Sequence, residues 1–87
     1  MASDNLLIEQ AIENYQQGDF SQAARICHNL VKDNSNDYEA LHLLGIILHE
    51  AGLNEQASDI LKKAMAICGP QVNILHNYGL VLRAKGE

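Results

Sequence analysis

Tryptophan is absent from this 87-residue chain, proline occurs once, and three tyrosines and one phenylalanine are the only aromatics. The apolar set is therefore left to leucine, isoleucine and alanine, which suit helices better than strands. Basic residues are scarce too: six lysines and arginines face eleven carboxylates, a formal charge of −5. Neutralising phosphates needs a basic face, so no nucleic-acid role is expected. The same shortage argues against docking on an anionic membrane. No apolar run is long enough to span a bilayer, since the longest extends only from Leu43 to Leu48. Met1 to Asn5 lacks the basic start of a secretion signal. Together these absences predict a cytoplasmic protein.

Catalytic signatures are missing as well. The chain has no glycine-rich phosphate loop, no GxSxG and no HExxH. Cys27 and His28 are adjacent, so on a helix they point apart and cannot form a nucleophile–base pair. Cys27 and Cys68 lie 41 residues apart with no CxxC around them. They read as reduced, buried small hydrophobes, with a disulfide as the less favoured alternative. No enzyme activity, no cofactor and no metal site is expected.

What the sequence does have is a period. Gly18, Gly52 and Gly86 are spaced 34 residues apart, and Ala23 and Ala57 share that offset. So do Leu7, Leu41 and Leu75, then Leu48 and Leu82, and the small residues Ala11, Gly45 and Gly79. Self-similarity at this length marks a repeat architecture. Within the units, Leu41, Leu44, Gly45 and Leu48 trace one helical stripe, and Leu75, Tyr78, Gly79 and Leu82 trace it again. Asn36 with Glu39 predicts a capping box, Asp19 with Gln22 a second cap, and Asn54 a third. Gly52 predicts a left-handed C-cap, and Gly69-Pro70 a stop. The expectation is one all-α domain over 1–87 with units at about 4–37, 38–71 and a partial 72–87. It holds two full helix pairs plus one additional C-terminal helix, five in all. The small residues at 11, 45 and 79 are expected where paired helices approach closely.

The phrases Tyr15 to Ala23, Ala40 to Gly52 and Ile74 to Gly86 resemble the tetratricopeptide repeat (TPR). The resemblance implies a right-handed superhelical stack that binds a protein or peptide on its concave face. More narrowly, Ala40 to Gly45 and His76 to Gly86 are similar to the repeat arrays preceding bacterial glycosyltransferases and sulfotransferases of the O-GlcNAc-transferase type, with Asn77 matching a groove asparagine. That likeness implies a substrate-recruiting fragment of a larger transferase as one alternative. The chaperone-binding members clamp a carboxylate with lysine and asparagine. His42, His76, Ile46 and Leu80 stand in those places, so no clamp is expected.

First helices line the concave face in this family. The resemblance thus puts Asn5, Ile8, Ile12 and Tyr15 there, then Glu39, His42, Ile46 and His49, then Asn73, His76, Asn77, Leu80 and Arg83. An apolar strip edged by directional polar groups suits an extended or helical segment. Ile12 and Ile46 have a structural alternative, packing between stacked helices. A last alternative is a homodimer, because apolar Leu80, Val81 and Leu82 predict that this end is covered by further chain or by a second copy. Leu75, Tyr78 and Leu82 would be the contact.

Overall fold

The computed structural model describes residues 4–86, with side chains from Leu6 onward. Five helices follow one another: α1 (Asp4–Gln16), α2 (Phe20–Asp33), α3 (Tyr38–Glu50), α4 (Asn54–Cys68) and α5 (Val72–Ala84). Among the described residues there are no strands. Each helix packs on its neighbours in sequence, and α3 also touches α1 and α5.

The turns repeat with the sequence. Gly18 and Gly52 adopt φ of 85° and 80°, a left-handed conformation that is costly for any residue with a Cβ. In both turns the next amide reaches back five residues, Asp19 to the Asn14 carbonyl at 2.8 Å and Leu53 to the Leu48 carbonyl at 2.9 Å. Glycine thereby ends the first helix of each pair and aims the chain into the second.

Capping departs from expectation at two of three starts. Asp19 caps α2 as expected, accepting from the Gln22 amide at 3.1 Å. At α3 the cap is Asp37, which accepts from the Ala40 amide at 3.1 Å. Asn36 instead gives its own amide to the Asn34 side chain at 3.1 Å, closing the preceding turn. At α4 the N-cap is Leu53, with no side-chain bond. Asn54 is already helical, and its side-chain oxygen lies 2.6 Å from His49 Nδ1.

Two apolar clusters result, with α3 between them. Ile8, Ala11, Ala23, Cys27 and Leu30 meet Ala40, Leu43, Leu44 and Ile47 in the first. Leu41, Ala57, Leu61, Ala64, Ile74 and Val81 form the second. The close approach expected at the aligned small residues holds at Gly45, where an added Cβ would lie 2.6 Å from the Leu61 side chain. It fails at Gly79, which has nothing within 4 Å, because among the described residues no helix packs on that side of α5. Val81, expected at the surface, is fully buried in the second cluster. Lys85 at the end of α5 pairs with Glu55 at the start of α4 at 2.6 Å, and this contact holds the Glu55 carboxyl below its usual range.

Both cysteines are free. Burial, with a smaller contribution from the Asp37 charge, pushes the Cys27 thiol up to about 12. The thiol is therefore a core hydrophobe with no nucleophilic character at neutral pH.

Candidate concave binding groove

Helices α1, α3 and α5 together enclose a groove of about 320 Å³. Its walls are Ile8 and Ile12 from α1, Tyr38, Glu39, His42, Leu43 and Ile46 from α3, and Gln71, Asn73 and Ile74 at the start of α5. Ile8 is not the outward-facing residue expected, for it is buried in the first cluster. It packs between α1 and α3 and still forms part of the groove floor. Ile12 is 39% exposed and so presents real apolar surface.

His42 on the wall is bonded by Asn77 of α5, which is not itself among the wall residues. The Asn77 side-chain nitrogen sits 2.9 Å from His42 Nε2 and donates to the Asn73 carbonyl at 3.0 Å. Both amide hydrogens are then in use. A donor facing Nε2 requires a lone pair there, which places the ring proton on Nδ1. Burial holds the His42 pKa below its ordinary 6.5, so the ring is neutral at pH 7 and the acceptor persists. His42 Nδ1–H is left as a donor and Asn77 Oδ1 as an acceptor. That pair matches the hydrogen-bonding groups of a peptide unit. Glu39 is the one charged side chain on the walls among the described residues.

Other residues placed on this face by sequence do not line the groove. His49 is turned to Asn54 and ties the α3–α4 turn. Tyr15 packs on Phe20 with ring centroids 5.4 Å apart, closing the α1–α2 turn. Burial and then the Glu50 charge raise its phenol pKa. His76 and Arg83 are exposed and Leu80 is half-buried, none of them on the groove walls. Asn5 lies outside the described side chains. Of the three expected self-contact residues, Leu75 is 43% exposed and Leu82 half-buried, whereas Tyr78 turns inward against the second cluster.

Tyr38, Leu43, Gln71 and Ile74 were not anticipated. No spacing in the sequence marks them: Ile46 lines the groove from α3, while Leu80, at the same place in the period, is off its walls on α5.

A second hollow of about 400 Å³ lies on the opposite side, lined by Ala24, His28, Leu44, Leu48, Gln56, Asp59 and Ile60. Its wall is mostly aliphatic, and it lacks a hydrogen-bonded polar pair like that of His42 and Asn77.

Comparison with known proteins agrees with this architecture. The family model described as tetratricopeptide repeat matches residues 14–67, a span that includes all of α2 and α3 and most of α4. No curated protein matches the chain.

Proposed function

Because this chain belongs to the tetratricopeptide repeat family, whose members generally mediate protein–protein interactions, we propose that it binds an extended peptide segment in the groove between α1, α3 and α5. The observation that carries this reading is the neutral His42–Asn77 pair beside an isoleucine floor. An aliphatic side chain of the ligand would rest on Ile8, Ile12 and Ile46, and its backbone would bond His42 Nδ1–H and Asn77 Oδ1. Such a site is apolar with few, well-placed polar groups, as ligand grooves generally are. Glu39 at the groove and the chain's net charge of −5 favour basic or neutral segments over acidic ones.

The test is a random peptide library displayed on phage, selected against the chain and counter-selected against Ile12→Asp. Ile12 is exposed enough that the substitution leaves the core intact. Enriched peptides should carry an aliphatic residue with basic flanks and lose binding to the variant. Their affinity should fall only as pH drops through the His42 pKa, which burial holds below the ordinary range, because protonated His42 can no longer accept from Asn77. Enrichment that Ile12→Asp leaves unchanged would place the binding surface elsewhere.

A further inference from the structure

The face of α5 that α4 would cover, were α5 in the place of α3, is largely uncovered, with Leu82 alone half-buried. Shifting by the 34-residue period, Tyr38, Leu41, Gly45 and Leu48 become Val72, Leu75, Gly79 and Leu82. On α3 this stripe receives α4: Leu41 is 2% exposed and Gly45 lies directly beneath Leu61. On α5, Val72 is 84% and Leu75 43% exposed, and Gly79 meets nothing. A glycine in a helix interior is destabilising relative to alanine. At position 45 the close approach of Leu61 accounts for it, and at position 79 nothing among the described residues does.

The stripe is also self-complementary. Val72 and Leu82 lie five residues either side of Asn77, and Leu75 and Gly79 lie two either side. Their 3-4-3 spacing is that of a coiled-coil seam. When two such helices run antiparallel about a two-fold axis, Val72 meets the partner's Leu82 and Leu75 meets the partner's Gly79. Each leucine then enters the notch of the other copy, as Leu61 does over Gly45 within one chain. An isologous contact of this kind closes on itself. Charge agrees: α5 contains Arg83 and no carboxylate, whereas each of the other four helices contains at least one. Copies with a net charge of −5 repel least at this edge.

We infer that two copies of this chain associate through α5, antiparallel, with Leu75 of each seated on Gly79 of the other. The contact uses a different face of α5 from the groove and leaves the groove open. One short helix per copy gives a small interface, near or below about 1,200 Å² in total, so association needs concentrations on the order of 100 μM.

Sedimentation equilibrium across a concentration series tests it, with Gly79→Leu as the deciding variant. In the isolated chain the added leucine meets open space and improves helix propensity, so the melting temperature should not fall. In the dimer it occupies the notch and should weaken association by at least about tenfold. Leu75→Glu should do likewise, and Ile12→Asp in the groove should leave association unchanged. A wild-type chain that stays monomeric to about 1 mM would overturn the inference. So would a Gly79→Leu variant that dimerises as well as the wild type.

Discussion

At position 45 only a hydrogen fits beneath Leu61, because a Cβ there would lie 2.6 Å from the leucine side chain. The alignment of Ala11, Gly45 and Gly79 makes smallness legible in the sequence, but not what requires it, and the requirement differs between the two glycines. Replacing Gly45 with leucine should destabilise the chain by about 1–3 kcal/mol through overpacking of α3 on α4. The midpoint of urea unfolding reads this directly. A midpoint equal to that of the wild type would mean that α3 and α4 are not held at this point.

The two turns inside helix pairs are near copies in backbone but not in chemistry. Asp19 and Leu53 occupy the same place in the period and have almost the same dihedrals, φ −87° and ψ 74° against φ −91° and ψ 65°. Asp19 satisfies an amide of α2, and Leu53 satisfies none of α4. Leu53 is 46% exposed, so its replacement gives up little burial. Leu53→Asp should let the carboxylate accept from the Gln56 amide and stabilise α4 by about 1 kcal/mol. For a chain of this size that corresponds to a melting temperature roughly 4–8 °C higher. A melting temperature that does not rise would show that the α4 start already has its donors satisfied. Sequence placed this cap on Asn54 because its residue type suits the role; the turn puts the N-cap one residue earlier, at Leu53, and Asn54, already helical, meets His49 instead.

Across the whole molecule, α3 is the element on which both clusters depend. It supplies Ala40, Leu43, Leu44 and Ile47 to one and Leu41 to the other, whereas α1 and α5 each serve one. In a stack held by nearest-neighbour contacts, stability falls toward the ends. Native-state hydrogen exchange should find the slowest amides in α3 and the fastest helical ones in α1 and α5. Equal protection across all five helices would instead indicate a single undivided core.

The sequence by itself determined the helices, their pairing and the glycine turns, because a 34-residue period and a 3.6-residue stripe are properties of residue order alone. Ile12, Glu39, His42, Ile46 and Asn73, which line the candidate groove, are among the residues that the family resemblance, rather than the period alone, assigned to the concave face. Only the tertiary structure decided which of those side chains meet. His42 and Asn77 are 35 residues apart, and their approach depends on how far α5 is shifted and rotated against α3. His49 and Tyr15 were drawn away by partners in the turns, a competition between neighbours that no spacing records. The difference between Gly45 and Gly79 has the same origin: identical in the repeat, they are separated only by whether another helix lies against them.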